Sequence, residues 1–190
     1  MKNLERKQAI RKELLKKRNT LTVEDLKNYS KLIEKQLLSL EQYKNAEIIL
    51  IYVSYLSEVS TYEIIKQGLK TGKKIFCPKV LRPEIMEFYE ITSFEDVVLG
   101  YKNIPEPKAT DVPFENINLS KALMVMPMVG FDNYKNRLGY GGGFYDRYLQ
   151  RFPTLTKLAL AFECQRYENS LPFEETDIKV DFIITEKAIY

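Results

Sequence analysis

Apolar residues first recur along the chain at helical spacing. At 100° per residue, Leu4, Leu14 and Leu15 define one stripe over residues 4–18, with Ile10 at its edge. A second helical stretch covers residues 23–40. Asn19-Thr20-Leu21-Thr22 separates the two, and Thr22 with Asp25 predicts an N-cap pair. The period then changes. Residues 47–54 contain Ile48-Ile49-Leu50-Ile51-Tyr52-Val53, a continuous apolar run of strand length that suits a parallel strand buried on both faces. Ser60 and Glu63 predict a capping box opening a helix to about residue 71. A second strand is expected over 74–77, stopped by Pro78, and a third over 86–91. Pro105, Pro107 and Pro113 mark residues 101–118 as loop. Further strands are expected over 122–126, ended by Pro127, over 157–162 and over 180–185. A helix from 142 or 143 to 151 is stopped by Pro153. Strands alternating with helices predict an α/β fold with one open, mainly parallel sheet and helices on both faces.

Composition narrows the picture. The 190 residues suffice for a single domain, 1–190, with 45% hydrophobic residues. No apolar run approaches the roughly 18 residues of a membrane span. The charged N-terminus does not read as a secretory signal, so a cytoplasmic protein is expected. Cys77 and Cys164 lie far apart in sequence and read as reduced thiols. Histidine is absent, which excludes Ser-His or Cys-His nucleophilic centres and His-ligated zinc. Chemistry must come from carboxylates, lysine, arginine, tyrosine, backbone groups or a hard cation.

Charge is unevenly placed. Residues 1–18 carry eight cations against two carboxylates, a local +6 that leaves −3 for the remainder of a chain whose net charge is +3. Such a helix fits nucleic acid, an acidic membrane surface or a phosphorylated small molecule. Lys7, Arg11 and Arg18 project along the middle of the apolar stripe, so each must snorkel, find an acid or bind an anionic ligand. Lys7 and Arg11 are four apart and adjacent on the helix surface. An internal salt bridge and a bound anion remain equal readings.

Half of the eight glycines fall at Gly139, Gly141, Gly142 and Gly143, ahead of the helix from 142 or 143. Glycine there lets a ligand approach the backbone, a following helix N-terminus favours phosphate, and Arg137 adds a bidentate phosphate partner. The spacing matches neither the Walker A motif nor the dinucleotide fingerprint, and a plain turn would look the same. Glu58 lies just beyond the first strand, at the edge where open α/β sheets bind ligands. Asp146 falls in the first turn of the helix after the glycine loop, where it either complements the helix dipole or holds Mg²⁺. Asp177 and Asp181 flank the last strand and say little individually.

Taken in order, these segments resemble the 5-formyltetrahydrofolate cyclo-ligase family over nearly the whole chain. The most specific match is Pro127-Met128-Val129-Gly130-Phe131-Asp132 followed by Arg137-Leu138-Gly139-Tyr140-Gly141-Gly142-Gly143-Phe144-Tyr145-Asp146-Arg147. Lys7-Gln8-Ala9-Ile10-Arg11, Glu58, Asn103-Ile104-Pro105-Glu106-Pro107 and the segment from Leu171-Pro172 through Asp177, Asp181 and Thr185-Glu186 support it. Lys135 stands where many members carry glycine, and Phe144 where many carry tyrosine.

The resemblance implies a three-layer αβα sandwich and an ATP-dependent ligase of one-carbon metabolism. The reaction would convert 5-formyltetrahydrofolate to 5,10-methenyltetrahydrofolate with release of ADP and phosphate. By the same resemblance, Lys7, Arg11 and the loop Arg137, Leu138, Gly139, Tyr140, Gly141, Gly142, Gly143, Phe144 and Tyr145 bind ATP. Val53 and Glu58 contact the reduced folate, with or without a polyglutamate tail, and Tyr140 to Phe144 close over it. Arg137 and Tyr145 stand as catalytic side chains, and Asp146 and Asp177 as ligands of Mg²⁺. A monomer or weak homodimer with neither nucleic-acid nor membrane partners is expected. Two rivals are a noncatalytic phosphate-binding or sugar-phosphate isomerase module, which would not turn over ATP, and a nucleic-acid binder, which would show salt-dependent oligonucleotide affinity.

Overall fold

A computed structural model of the chain describes residues 2–82, 85–108, 112–115 and 119–190. Helix α1 (Lys2–Arg18) is followed by α2 (Val23–Ser39), whose N-cap Thr22 forms the expected reciprocal box with Asp25, and by the short α3 (Glu41–Asn45). The chain continues as β1 (Ile48–Ile51), α4 (Tyr62–Lys70), β2 (Lys74–Arg82), β3 (Ile85–Ile91), β4 (Val97–Leu99), β5 (Pro105–Pro107), β6 (Ala122–Pro127), β7 (Gly130–Phe131), β8 (Arg137–Leu138), α5 (Phe144–Gln150), β9 (Thr156–Leu160) and β10 (Phe182–Ile184). Among the described residues no helix is long and apolar enough to cross a membrane.

Six strands form one sheet in the order β10-β9-β6-β1-β2-β3, parallel except for the antiparallel edge strand β3. Alternation of side chains divides the core into two layers. Ile49 and Ile51 of β1, with Leu123 and Val125 of β6, pack under Ile33 and Leu37 of α2 and Ile64 and Ile65 of α4. Leu50, Met124 and Met126 face the other way, against Tyr148 and Leu149 of α5 and the rings of Phe114 and Phe152. The second face is thus covered by one helix of seven residues and by aromatic side chains from loops.

Several local expectations are corrected. The strand expected to stop at Pro78 runs on to Arg82. Pairing of β2 with β1 ends at Phe76, whereas pairing with β3 continues through Pro78 and Phe88. A residue lacking N–H is tolerated where a strand has one neighbour. The capping box expected of Ser60 and Glu63 does not form, because α4 starts at Tyr62 with Thr61 as its N-cap. The Thr61 hydroxyl is engaged by the segment just after β1 instead, donating to Tyr52 O at 2.8 Å and accepting from the Ser54 N–H at 3.0 Å. Within the stretch read as loop, Pro105–Pro107 pairs with Val97–Leu99; residues 109–111 and 116–118 of that stretch lie outside the described residues. Leu4, assigned to the buried stripe, is 57% exposed.

Helix α1 packs on neither sheet face. Ile10 and Leu14 join Val129, Leu138 and Leu171 in a small third cluster that seats the helix on the β7–β8 hairpin, beyond the carboxyl end of β6. Gly130 is required there, since a Cβ would lie 2.1 Å from Leu14 Cδ1 and 3.1 Å from Gln165 O. Leu14→Ala should therefore cost about 2–5 kcal/mol. Denaturant unfolding checks it; a loss under about 1 kcal/mol would mean that this cluster does not anchor the helix.

Candidate active site

At the carboxyl ends of the parallel strands, α1, the loops after β1 and β8, and the segment around β5 enclose a cavity of about 910 Å³. Every residue assigned a role from sequence lines it: Lys7, Arg11, Val53, Glu58, the run from Arg137 to Tyr145, Asp146 and Asp177. Residues up to 170 positions apart thus share one space.

The cations of α1 are held in three ways. Lys7, 6% exposed, contacts Asp177 Oδ2 at 2.5 Å and Glu174 Oε2 at 3.3 Å. The internal salt bridge foreseen as one reading of Lys7 is therefore present, and its partner is the acid assigned to magnesium. Arg11 donates from Nε to the carbonyl of Gly139 at 2.7 Å. Burial draws its affinity for the proton down, opposed by Asp177 and Glu174. Arg18, 5% exposed, donates to Ser57 Oγ at 3.1 Å and to the Tyr140 hydroxyl at 2.7 Å.

Arginine side chains also shape the glycine loop. Arg137 Nη2 reaches both carboxylate oxygens of Asp146 at 3.0 Å, its guanidinium lies 5.7 Å from the Tyr145 ring centre, and its buried Nε has no hydrogen-bond partner. Arg147 donates to Gly142 O at 2.6 Å. Gly141 (φ 97°) and Gly143 (φ 65°) adopt left-handed conformations, and a Cβ on Gly143 would meet Arg147 Nη1 at 2.5 Å. Gly143 is also the N-cap of α5.

On the opposite wall, Glu58 is half-buried. Its Oε1 accepts from the Tyr140 hydroxyl at 2.6 Å and its Oε2 from the Tyr55 N–H at 2.9 Å. Burial pushes the Glu58 carboxyl above its ordinary range, while the Tyr140 hydroxyl, the Tyr55 N–H and Arg18 pull it back. Burial likewise raises the Tyr145 phenol, with the Glu58 charge adding to the effect.

Asp146 and Asp177 meet one test of a magnesium site. Asp146 Oδ1 accepts the N–H of Ile178, the residue after Asp177, at 3.2 Å, so both acids lie at one corner of the cavity. Among the described residues no group of three or more His, Cys, Asp or Glu could hold a metal by protein ligands alone. Two carboxylates lining the same cavity fit Mg²⁺, which is usually held by one or two acids together with substrate phosphates.

Sequence reasoning assigned no role to Arg18, Glu174, Leu56, Tyr101, Lys102 or Ile104 to Glu106, which also line the cavity. Arg18 shares the helical phase of Lys7 and Arg11, so its signal was present. Leu56 (φ 52°) and Lys102 (φ 56°) are non-glycine residues in left-handed conformations, which no local pattern announces and which gather at functional sites. Lys135, standing where many members of the resembling family carry glycine, also has a left-handed backbone, φ 60°.

The description "5-formyltetrahydrofolate cyclo-ligase family" belongs to the family model that matches residues 3–186. A mouse 5-formyltetrahydrofolate cyclo-ligase is 34% identical, covering 96% of this chain and 94% of its own length. The enzyme of that name from Escherichia coli K12 is 29% identical over 92% and 97%. The NMR structure of a 5,10-methenyltetrahydrofolate synthetase from Aquifex aeolicus superposes with a TM-score of 0.83 at 31% identity, covering 96% of this chain and 91% of that one.

The raised Glu58 carboxyl sets the sign of a pH effect. Between the unfolded value of about 4.3 and the higher folded value, the native state keeps a proton that the unfolded chain has released, so stability falls as pH rises through that window. Denaturant titrations from about pH 4 to pH 7 should show wild type losing stability relative to Glu58→Gln. Parallel curves for the two proteins would contradict the raised value.

Proposed function

The chain belongs to the 5-formyltetrahydrofolate cyclo-ligase family, and from that premise we propose that the cavity under α1 is where ATP and 5-formyltetrahydrofolate meet. The protein is an ATP-dependent ligase that closes the formylated folate to 5,10-methenyltetrahydrofolate. Residues 1–190 act as one catalytic domain. The observation that carries the residue assignments is convergence: Lys7, Arg11, Arg137, the glycine loop and Glu58 line one cavity at the carboxyl edge of a parallel sheet.

Lys7, Arg11 and Arg137 bind the triphosphate, and the loop from Leu138 to Tyr145 wraps it. Val53 and Glu58 hold the folate opposite, with Tyr140 to Phe144 over the reacting groups. A formamide oxygen is a poor leaving group. Transfer of the γ-phosphoryl group forms a P–O bond to that oxygen as the bond to ADP breaks. N10 then attacks the formyl carbon, the C–O bond to phosphate breaks, and the N10 proton is lost. Phosphoryl transfer depends mainly on positioning and charge neutralisation. Arg137, with both Asp146 oxygens on Nη2 and an unpartnered Nε, is placed to receive phosphate oxygen. Tyr145, its phenol held neutral by burial, is a donor at physiological pH. Asp146 and Asp177 would hold Mg²⁺ brought with the nucleotide, and the ion would supply charge neutralisation at the phosphates.

The reading is tested by the absorbance of the methenyl product. Absorbance should rise only with ATP, 5-formyltetrahydrofolate and protein together. Product formed equally without ATP, or no product at all, would refute it.

Asp146→Asn keeps the shape and the contact with Ile178 N–H but removes the charge. Turnover should fall at least about tenfold, a loss of roughly 1.4 kcal/mol of transition-state stabilisation, with altered magnesium dependence. If both stay unchanged, Asp146 is only a partner for Arg137.

A further inference from the structure

Arg18 is the buried charge at the cavity that no step above uses. Its hydrogen bonds go to two neutral hydroxyls, Ser57 Oγ at 3.1 Å and Tyr140 OH at 2.7 Å. Among the described residues no carboxylate forms a direct ion pair with it. A cation out of water needs an anion nearby, and packing alone would be served as well by methionine. The anion is Glu58, one hydroxyl away: Tyr140 accepts from Arg18 and donates to Glu58 Oε1 at 2.6 Å. A hydroxyl that accepts from a cation becomes a stronger donor, so the three groups polarise one another in series.

Arg18 also grips the loop that carries Glu58. Its second contact, Ser57, precedes Glu58 and in turn donates to Asn19 Oδ1 at 2.7 Å. One guanidinium thereby ties α1 to the loop after β1 and to the glycine loop after β8. The groups facing Glu58 are Arg18 from α1, Tyr52 at the end of β1, the Tyr55 N–H of its own loop, and Tyr140 and Tyr145 from the glycine loop and α5. Arg18 is the cation among them, and Cys164 is a further ionisable group that feels its charge. Each carboxylate oxygen has two lone-pair directions, so Glu58 can keep its protein donors and still accept a ligand N–H.

We propose that Arg18 is a positioning residue for the folate: acting through the Tyr140 hydroxyl, it keeps Glu58 ionised and fixed so that the carboxylate accepts N–H groups of the folate ring. This rests on the reading of Glu58 as the folate-binding acid. Without Arg18, burial of Glu58 is less well opposed, the carboxyl takes up a proton at higher pH, and its acceptor capacity falls.

Carboxyl-carbon NMR of the ligand-free protein follows Glu58 directly, with Glu58→Gln identifying its signal. Arg18→Met should move the Glu58 titration upward, and Arg18→Lys should restore most of the wild-type curve. In steady-state kinetics Arg18→Met should raise the KM for 5-formyltetrahydrofolate about tenfold with a much smaller change in kcat. The acid limb of kcat/KM for the folate should move upward with it. Tyr140→Phe keeps the ring and tests the same relay should Arg18→Met fold poorly: it too should raise the Glu58 titration and the folate KM. In that background Arg18→Met should add much less than it does alone. A Glu58 titration unmoved by Arg18→Met, or a KM for ATP that rises as much as that for the folate, overturns the proposal and leaves the folate reading of Glu58 standing. An unchanged folate KM in Glu58→Gln overturns that reading first.

Discussion

Three cations carried inward on one face of α1 set the terms for everything around them. Lys7, Arg11 and Arg18 follow helical spacing, and Leu14 on the same face holds the helix against Val129 and Leu138. The apolar contact drags the charges out of water, and the surrounding loops must answer each one. Lys7 is met by carboxylates, Arg11 by a backbone carbonyl and Arg18 by hydroxyls. The loops that answer are the ones beyond β1, after β8 and before β10. The site is therefore organised by desolvation as much as by sheet topology.

The carboxyl edge of the sheet supplies the remaining constraint. β1 is buried on both faces and flanked by parallel neighbours β2 and β6, so the residues beyond its end, Val53 to Glu58, emerge from the centre of the sheet. The glycine loop emerges instead from a two-residue strand in a small hairpin, and its position depends on arginine contacts to Gly139 O and Gly142 O. The wall proposed for folate is anchored by the sheet, and the one proposed for nucleotide by side chains.

Much of this was legible in sequence. The change from helical to strand period located α1, α2 and β1, and the phase of Lys7, Arg11 and Arg18 marked the inward face. Glycines 139 and 141–143 located the loop, although the residues alone left a plain turn as open as a phosphate site. Only the resemblance separated the two. What failed did so because a tertiary partner overrode a local rule. Pro78 sits inside a strand because β1 has already ended beside it. Ser60 caps nothing because α4 starts one residue later, with Thr61 as its N-cap held to the segment after β1. Leu4 lies on the inward face of α1 but reaches the cavity rim rather than the core. Pro105–Pro107 is a strand by virtue of a partner, Val97–Leu99, that no local pattern names.

On the proposed reading, the pairing of Lys7 with Asp177 and of Arg137 with Asp146 sets an electrical condition on nucleotide entry. A phosphate oxygen that meets the Lys7 ammonium or the unpartnered Nε of Arg137 comes up beside the carboxylate already paired with that cation, so a highly negative ligand approaches a like charge. That approach costs less if a cation travels with the nucleotide and lies between the two negative groups. On the same reading, free ATP and its divalent-ion complex are different ligands for this cavity, and the protein's own acids disfavour the bare polyanion.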